Sequence, residues 1–436
     1  MDTKVLTLGT CTHSSPLKLS KVYGDNIYNY VEDEHRILYD NTLASFRQYR
    51  SQDGDPPSFE CAGPREKIYF NPKKTHAAIV TCGGLCPGLN DVIRAIVMEL
   101  YYSYGVSKIT GIRYGYNGLI AENGFKVKPL SVDIVVDIHK TGGTILGSSR
   151  GGGERVDEIV DTLESSKINI LFCIGGDGTL RGALDICREV TKRKLKISII
   201  GIPKTIDNDI NYVEQTFGFE TAFSKGMDAI DAAHVEARGA MNGIGLVKLM
   251  GRNSGYVAAM ASLATNDVNY VLIPEVPFTL GSKNGLFPHL HKRLKTRGHA
   301  VIVVAEGAGQ GFFEADRQKD ASGNVKLRNI GVFLKDGIKK YFKDKNFPIS
   351  LKYIDPSYII RAAPANPNDS IFCADLGRNA VHAAMTGKTC VTIGVWNHVF
   401  THVPIELVTS EQKQIDPESA LWWHVIESTG QPMNMV

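Results

Sequence analysis

The chain has 436 residues, 43% hydrophobic and 22% charged, with a formal net charge of +3. This length allows a large core shared by two domains, and the small net charge does not indicate a nucleic acid or an acidic membrane as partner. No run approaches the roughly 18 apolar residues of a transmembrane helix, and the start MDTKVLTLGTCTHSS lacks the apolar core of a signal peptide. We therefore expect a cytoplasmic protein.

The eight cysteines are scattered without C-x-x-C pairs. Cys173 and Cys390 lie in apolar runs, as structural thiols do. Cys82 and Cys86 flank glycines, but two further zinc ligands are not evident beside them. The spacing predicts reduced thiols throughout.

The first part of the chain is weakly patterned. Residues 51–64, SQDGDPPSFECAGP, are rich in turn formers and predict a loop before a domain boundary. We expect residues 1–72 to form an N-terminal extension packed on the body, and residues 406–436 to form a C-terminal tail.

From His76 onward, β-branched runs alternate with helical patterns. Residues 76–84 predict a buried strand, and residues 89–105 predict a helix with one apolar face that ends at Gly105. The later segments that predict strands are 108–115, 168–179, 195–204, 243–251, 268–275, 299–307 and 389–396. Those that predict helices are 181–194 and 221–235.

Alternating strands and helices are typical of parallel sheets covered on both faces. Two such units fit the length, so we predict an α/β protein of two doubly wound domains with mostly parallel sheets. The first domain is placed at residues 73–216 with part of 361–405, and the second at residues 217–360. Ligands of such sheets bind beyond the carboxyl ends of the strands, where five glycine-rich or charged clusters fall. The clusters are TCGGLCPG, GGDGT, PKTIDND, MGRNSG and AEGAG.

The cluster IGGDGT, residues 174–179, follows a predicted strand and precedes a helix. Its glycines allow backbone N–H groups to approach a phosphate, which a helix N-terminus also attracts. Asp177 offers the hard oxygen ligand that suits Mg²⁺. The same pattern also fits a plain strand–turn–helix corner.

Two more glycine-rich segments fit phosphate binding. In TGGTILGSSRGGG, residues 141–153, Arg150 can spread its charge over the oxygens of a transferring phosphoryl group. In TCGGLCPGLND, Gly84 allows a nucleotide to come close. A flexible surface loop and a tight turn are the respective alternatives.

The segment IPKTIDNDI, residues 202–210, is more specific. If its residues are extended, Thr205, Asp207 and Asp209 point the same way. A carboxylate close to a hydroxyl group suits a general base that takes a proton from an alcohol attacking phosphorus. An Asx-rich turn is the alternative.

The second half offers candidates for binding an anionic sugar. Arg252 could bind a second anion, and Glu306 could accept hydrogen bonds from sugar hydroxyls. Tyr358 and Arg361 are three residues apart and share one side of a helix, if one forms. Taken singly, each also fits a solvated surface charge or a core tyrosine.

Over roughly residues 77–370 the motifs TCGGLCPG, GTILGSSRG, GGDGT, PKTIDND, MGRNSGY, AEG and PSYIIRA occur in the order found in the 6-phosphofructokinase family, which this sequence closely resembles. The resemblance implies transfer of the γ-phosphoryl group of Mg-ATP to the 1-hydroxyl of fructose 6-phosphate, a step of glycolysis. It also implies a nucleotide-binding first domain, a sugar-phosphate-binding second domain, an active site in the cleft between them, and an allosteric homo-oligomer, dimer or tetramer.

The resemblance assigns roles residue by residue. The implied catalytic residues are Asp207 as the base, Arg150, Thr205 and Arg252. The implied nucleotide site comprises Gly84, Tyr116, Arg150, Gly151, Gly176, Asp177, Gly178, Thr179, Gly182 and Lys204, with Asp177 as the magnesium ligand. The implied sugar-phosphate site comprises Thr205, Ile206, Asp207, Met250, Gly251, Arg252, Glu306, Lys352, Tyr358 and Arg361.

The sequence departs from the short bacterial members of this family at their cross-subunit sugar contacts. Where they have arginines lent by a neighbouring subunit, this chain has Gly243 and Lys352. The last motif has Tyr358 in place of the usual histidine. With its N-terminal extension the chain looks more like the longer group that includes trypanosomal and plant ATP-using enzymes.

The phosphoryl donor depends on two positions. Pyrophosphate users of the family typically have aspartate after GGD and lysine before TIDND, whereas short ATP users have glycine at both. This chain combines Gly178 with Lys204. An aspartate at 178 would place a carboxylate at the α-phosphate of a nucleotide, whereas Lys204 can pair with β-phosphate oxygens of either donor. We therefore expect ATP, with a pyrophosphate-dependent enzyme as the alternative.

Two alternatives belong to other functional classes. A non-catalytic regulatory paralogue would be expected to lack Asp177 or Asp207, and both are present. An NAD kinase-like enzyme would leave PKTIDND and PSYIIR unexplained.

Overall fold

The computed structural model describes residues 1–51, 55–313 and 326–436. Its strands are β1 Leu6–Thr7, β2 His13–Ser14, β3 Arg36–Leu38, β4 Ser58–Cys61, β5 Lys67–Ile68, β6 His76–Thr81, β7 Lys108–Ile112, β8 Lys128–Pro129, β9 Ile170–Gly175, β10 Ser198–Pro203, β11 Gly243–Leu249, β12 Tyr270–Leu272, β13 His299–Ala305, β14 Ser350–Ile354, β15 Lys388–Thr389, β16 Val391–Trp396 and β17 Val399–Pro404.

The helices follow the apolar periodicity of the sequence. They are α1 Leu43–Ser51, α2 Leu89–Met98, α3 Val132–Val135, α4 Val156–Ser165, α5 Asp177–Lys192, α6 Phe219–Arg238, α7 Tyr256–Thr265, α8 Leu286–Arg297, α9 Ile330–Asp344, α10 Ser357–Ala362, α11 Pro367–Met385, α12 Ile405–Val408 and α13 Ala420–Thr429. A π-helical turn, Glu99–Ser103, continues α2. Within the described ranges, no helix is long and apolar enough to span a bilayer.

The chain divides into two compact units, and each is made of separate chain segments. Unit 1 comprises Met1–Thr205, Ile210–Gly218 and Pro364–Gln412. Unit 2 comprises Ile206–Asp209, Phe219–Ala363 and Lys413–Val436. The N-terminal extension thus belongs to unit 1, and the predicted C-terminal tail is shared between the units at residue 412.

Unit 1 is built on a nine-stranded sheet with the order β3-β4-β17-β16-β10-β9-β6-β7-β8. The five strands from β16 to β7 are parallel, and antiparallel strands flank them on both sides. Strands β6, β9 and β10 are buried along their whole length, which explains their continuous apolar runs. Helices α4, α5 and α12 cover one face, and α2 packs with α11 on the sheet as well.

Unit 2 repeats this plan with a four-stranded, fully parallel sheet in the order β12-β13-β11-β14. Helices α6 and α7 pack together on it. The apolar sides of α8 and α9 form a separate core cluster with β11, β12 and β13. The predicted fold class, doubly wound and mostly parallel, is confirmed.

The prediction of a loop at residues 51–64 is wrong in part, because β4 lies within this range. Residues 52–54 of the predicted loop lie outside the described ranges. β4 pairs antiparallel with β17 on one side and with β3 on the other. Phe59 on this strand is fully buried. Local composition shows the turn formers but not the partner strand, which follows more than 300 residues later.

An ionic cluster fixes this part of the extension. The carboxylate of Glu60 lies 2.8 Å from Arg65, 2.5 Å from Lys388 on β15 and 2.9 Å from Nδ1 of His402 on β17. All four side chains are buried. Burial opposes ionisation of Glu60, but the hydrogen bonds of His402 and Lys388 and the charge of Lys388 outweigh it and lower the pKa of Glu60.

The expectation of reduced thiols is wrong for one pair, because Cys187 on α5 and Cys390 form a disulfide. Their Cα atoms are 5.9 Å apart, a normal separation for this bond. The bond joins α5 to the residue just before β16, 203 positions away in sequence. The cysteines outside this disulfide are Cys11, Cys61, Cys82, Cys86, Cys173 and Cys373.

Candidate active site

In unit 1, the GGDGT cluster forms the turn from β9 into α5. The helix begins at Asp177, so the N–H groups of its first turn face the carboxyl end of the sheet. A Cβ added at Gly178 would meet no atom within 4 Å. The fold therefore does not need glycine at 178, and the open space beside it is suited to a phosphate group.

Asp177 lies in the first turn of α5 and accepts hydrogen bonds of 3.0 and 3.1 Å from Nε of Arg181. Within the described ranges, no group of three or more His, Cys, Asp or Glu side chains could hold a metal ion. A single carboxylate at a phosphate-binding turn nevertheless fits Mg²⁺, which keeps several waters and is shared with substrate phosphates. The donor set is compatible with the predicted ion.

The glycine-rich loop 141–153 is tied to the loop that follows β6. Ser148 Oγ donates to the carbonyl oxygen of Gly83 at 2.6 Å, and Gly83 N donates to Ser149 O at 2.8 Å. Arg150 follows directly and is exposed, and Gly151 has a positive φ of 79°. These bonds hold the segment that carries Arg150 beside the segment that carries Gly84.

Lys204 follows β10 and is 6% exposed. Its Nζ donates a hydrogen bond of 2.6 Å to the carbonyl oxygen of Gly84. Its backbone N–H donates to Gly175 O at 2.9 Å, just before the turn into α5. Lys204 therefore joins the two glycine loops and places its positive charge between them.

Tyr116 and Gly182 lie beneath this turn. Tyr116 is 2% exposed, and its hydroxyl donates to the carbonyl oxygen of Thr179 at 2.8 Å. A Cβ added at Gly182 would lie 2.9 Å from the Tyr116 ring, and one at Gly153 would lie 3.2 Å from it. The structure thus places Tyr116 and Gly182 as support for the first turn of α5.

The TIDND cluster, residues 205–209, is not extended, so the condition under which alternation would align its side chains is not met, and the structure agrees with the alternative of a turn. Residues 206 and 207 form a bend, and Asn208 has a left-handed φ of 53°. Asparagine tolerates this conformation better than most residues do. Thr205 belongs to unit 1, where its carbonyl oxygen accepts a hydrogen bond from Thr216.

Asp207 is held by the MGRNSG loop, residues 250–255. Arg252 N donates to its Oδ2 at 3.4 Å, and Ser254 Oγ donates to its carbonyl oxygen at 2.8 Å. Burial, followed by the negative charges of Asp209 and Glu306, raises the pKa of Asp207 to about 8. A carboxylate with a raised pKa is a stronger base than an ordinary aspartate, as proton abstraction near neutral pH requires. Sequence reasoning missed Ser254, although it lies inside a motif already singled out.

The loops that follow β11 and β13 run side by side. Glu306 N donates to Leu249 O at 2.9 Å, and Gly307 N donates to Gly251 O at 3.0 Å. A Cβ at Gly307 would lie 1.8 Å from Arg252 O, so only glycine allows this approach. The pairing fixes Glu306 beside the segment that carries Met250 and Arg252.

Helix α10 carries Tyr358 and Arg361, which meets the condition of a helix that the sequence left open, and an ion pair anchors its start. Nζ of Lys248 on β11 lies 2.7 Å from Asp355, whose other oxygen accepts from Ser357 Oγ at 2.6 Å. Burial raises the pKa of Glu306, and the positive charges of Lys248, Arg252 and Arg361 oppose this shift. Lys248 and Asp355 gave no signal in the sequence, because their pairing depends on the register of β11 with β14.

The surroundings of the other residues predicted for the sugar-phosphate site vary. Tyr358 is 84% exposed, and Lys352 on the edge strand β14 lies 3.7 Å from Glu236 of α6. A Cβ added at Gly243 would lie 2.0 Å from the carbonyl oxygen of Ala237. This close packing explains why no larger residue occupies position 243. Ile206 is buried at 5% exposure and supports the bend rather than facing solvent.

Comparison with known proteins gives a consistent result. Residues 76–384 match the family model described as Phosphofructokinase. The chain is 49% identical over its whole length, and over 98% of the other chain, to a Borreliella burgdorferi protein named ATP-dependent 6-phosphofructokinase. It is 52% identical, over 93% of this chain and 76% of the other, to the Arabidopsis thaliana protein ATP-dependent 6-phosphofructokinase 5, chloroplastic.

A solved structure shares the fold at low sequence identity. It is the pyrophosphate-dependent phosphofructokinase from Marinobacter aquaeolei, with a TM-score of 0.67 at 18% identity, covering 81% of this chain and 91% of the other. Likeness at this identity shows the fold alone. The family model covers well over half of this sequence, and the curated relatives align over nearly all of it. The chain belongs to the phosphofructokinase family.

Proposed function

We propose that this protein is an ATP-dependent 6-phosphofructokinase, which transfers the γ-phosphoryl group of ATP to the 1-hydroxyl of fructose 6-phosphate. The products are fructose 1,6-bisphosphate and ADP. The observation that carries the proposal is Asp207, a carboxylate of raised pKa held by the backbone of the loop that bears Arg252. A general base hydrogen-bonded to the loop that carries an anion-binding arginine suits the attack of a sugar-phosphate alcohol on phosphorus.

The reaction needs one proton transfer and one phosphoryl transfer. Asp207 takes the proton of the 1-hydroxyl as its oxygen attacks the γ-phosphorus. The bond from that phosphorus to the β,γ-bridging oxygen breaks, and ADP leaves with the bridging electrons. Arg252 and Arg361 bind the sugar phosphate, and Glu306 accepts hydrogen bonds from sugar hydroxyls. The positive charges of Arg252 and Arg361 offset the repulsion between the two phosphorylated substrates.

The donor is bound by the glycine loops of unit 1 in this proposal. The N-terminal turn of α5, the loop at Gly84 and Arg150 receive the phosphates, and Lys204 supplies a charge beside them. Asp177 would hold Mg²⁺, which neutralises phosphate charge when bound. The open space at Gly178 supports ATP over pyrophosphate, because it leaves room at the position where a nucleotide α-phosphate would lie.

Steady-state rates test the donor. With fructose 6-phosphate fixed, we expect turnover with ATP and essentially none with pyrophosphate. Comparable turnover with pyrophosphate would support the alternative donor. Phosphorylation of NAD in place of fructose 6-phosphate would contradict the proposed acceptor. A cytoplasmic location, allosteric control and homo-oligomeric assembly stay predictions from the family resemblance.

A second experiment tests the base. Asp207→Ser removes the carboxylate, so we expect kcat to fall by about 100-fold or more while both KM values change little. The matched control is Asp231→Ser on the exposed side of α6, with unchanged kcat expected. A kcat for Asp207→Ser within about tenfold of the wild type would exclude Asp207 as the general base.

A further inference from the structure

The catalytic segment of unit 2 lacks the support of regular secondary structure. Residues 206–209 lie outside any helix or strand, and Asn208 is left-handed. The position of Asp207 therefore depends on contacts from neighbouring segments. The MGRNSG loop provides two of these contacts, through Arg252 and Ser254.

A second support comes from residues 413–415, which we name the C-terminal strap. Lys413 N donates to the carbonyl oxygen of Asp209 at 3.0 Å. Gln414 Nε2 donates to the carbonyl oxygen of Asn253 at 2.9 Å. The strap thus binds the backbone two residues after Asp207 and one residue after Arg252.

Two further bonds fix the strap itself. The carbonyl oxygen of Gln414 accepts a hydrogen bond of 2.9 Å from the hydroxyl of Tyr256, the first residue of α7. Oε1 of Glu275 accepts from Ile415 N and from Gly255 N, each at 2.9 Å. Glu275 therefore joins the strap to the end of the MGRNSG loop through one oxygen atom.

These bonds form a closed ring. It runs from the strap to Asp209, through Asp207 and Ser254 to Gly255, and through Glu275 back to the strap. Small displacements of a reacting group strongly reduce rates, because attack on phosphorus requires close and aligned approach. A ring that fixes the base and the anion-binding arginine together is suited to preventing such displacements.

The part of the C-terminal segment that follows the strap is held in place by contacts of its own. Helix α13 buries Trp422, Val425 and Ile426. Beyond it, Gln431 exchanges two hydrogen bonds with the backbone of Val271 on β12. The segment after the strap is therefore anchored independently, and Gln414 is exposed while it bonds to Asn253.

We propose that the C-terminal strap, anchored by Glu275, is a positioning element that holds Asp207 and Arg252 in the geometry required for phosphoryl transfer. Gln414 and Glu275 are positioning residues here, since they act through the backbone of the catalytic segments. This inference rests on the proposed kinase function.

The first test uses Gln414→Leu, which removes the bond to Asn253 and retains the side-chain bulk. We expect kcat with ATP and fructose 6-phosphate to fall about fivefold, the effect of one hydrogen bond of about 1 kcal/mol. KM for ATP should stay within about twofold, and the melting temperature should change little because the residue is exposed. The control is Glu418→Leu, an exposed residue of the same segment, which should retain wild-type kcat.

The second test compares two substitutions of the anchor. Glu275→Gln keeps a carbonyl oxygen able to accept both N–H groups, so kcat should stay within about threefold of the wild type. Glu275→Leu removes the oxygen that accepts from the N–H groups of Gly255 and Ile415, so kcat should fall more than tenfold. Rescue by glutamine distinguishes positioning by hydrogen bonds from an effect of charge. If the leucine variant does not fold, Gln414→Leu alone decides the matter.

The outcomes separate the two proposals. An unchanged kcat in Gln414→Leu, or an equal loss in Glu418→Leu, would overturn the strap proposal while wild-type turnover upholds the kinase. A melting temperature lowered without any change in kcat would assign the strap a purely structural role. Absence of wild-type turnover with ATP and fructose 6-phosphate would instead overturn the function on which the strap proposal rests.

Discussion

The ammonium group of Lys204 donates a hydrogen bond of 2.6 Å to the carbonyl oxygen of Gly84, a residue 120 positions earlier in the chain. Gly83, next to it, has a positive φ of 83°, and its carbonyl oxygen accepts from Ser148. Lys204 thus connects the ends of β6 and β10, and Gly83 connects the end of β6 with the glycine-rich loop 141–153. The lysine has a structural role in shaping these loops, and in the proposed function it also has an electrostatic role toward a phosphate.

Lys204→Met tests both roles. The change removes a buried cation and leaves Gly84 O without this donor. We expect kcat/KM for ATP to fall by about 10- to 100-fold, as for loss of a charge that acts on phosphate oxygens. Steady-state kinetics with varied ATP gives this ratio. Lys343→Met, on the exposed side of α9, is the control, and an equal loss there would contradict the assignment.

Gly178→Asp tests the basis for the choice of donor. Because a Cβ at 178 meets open space, the fold should accept the substitution with little change in melting temperature. The carboxylate should repel a nucleotide phosphate and raise KM for ATP about tenfold or more. Gly178→Asn has a similar size without the charge and should show a smaller rise. Equal effects of the two substitutions would show that size alone matters at this position.

The pH dependence of the rate follows from the base. Asp207 must be deprotonated to accept a proton, and burial with the charges of Asp209 and Glu306 raises its pKa to about 8. We expect kcat/KM for fructose 6-phosphate to rise with pH through the neutral range. Asp209→Asn removes one negative neighbour and lowers the pKa of Asp207, so the rise should move to lower pH. A profile that is flat between pH 6 and pH 8, or a shift in the opposite direction, would contradict this account.

Unit 1 should lose stability in acid because of two buried histidines. Burial lowers the pKa of His382 to about 3 and that of His402 to about 4. Between these values and the ordinary pKa near 6.5, the unfolded chain binds protons that the folded chain does not. The free energy of unfolding therefore decreases as pH falls from about 6.5 to about 4, by about 1.4 kcal/mol per pH unit for each histidine.

Denaturant unfolding across this pH range measures the effect. His402→Asn removes one titrating group and can retain a hydrogen bond to Glu60. The slope of the free energy of unfolding against pH should therefore decrease by the contribution of one proton. His424→Asn, exposed on α13, should leave the slope unchanged. A slope unaffected by His402→Asn would assign the acid sensitivity to other groups.

The parallel cores of both units could be predicted from sequence, because buried parallel strands are continuous apolar runs and their helices have a clear period. β6, β9, β10 and β13 all fall within segments predicted as strands. The antiparallel strands β4 and β17 could not be predicted in the same way. Their pairing depends on partners far along the chain, and Ser58–Cys61 looks locally like part of a loop.

The sequence motifs predict candidate site residues, but they do not reveal the residues that hold these motifs in place. Glycine loops and conspicuous charges lead to the predictions of Asp177, Asp207 and Arg252, since these residue types at strand ends favour phosphate chemistry. Glu275 and Gln414 have no such signal, because each acts through a hydrogen bond to the backbone of a distant segment. The bend at Asp207 agrees with the Asx-rich turn that the sequence leaves open as the alternative to an extended segment.

The antiparallel pairing of Cys61 with Thr401 has a consequence for biosynthesis. The ribosome releases strands β3 and β4 early, but their partner β17 emerges only when over nine-tenths of the chain has been made. Until then these strands have an unpaired edge, which is prone to association with other chains. Completion of the unit 1 sheet is therefore a late event, and newly made chains should need protection from aggregation until residue 404 has left the ribosome.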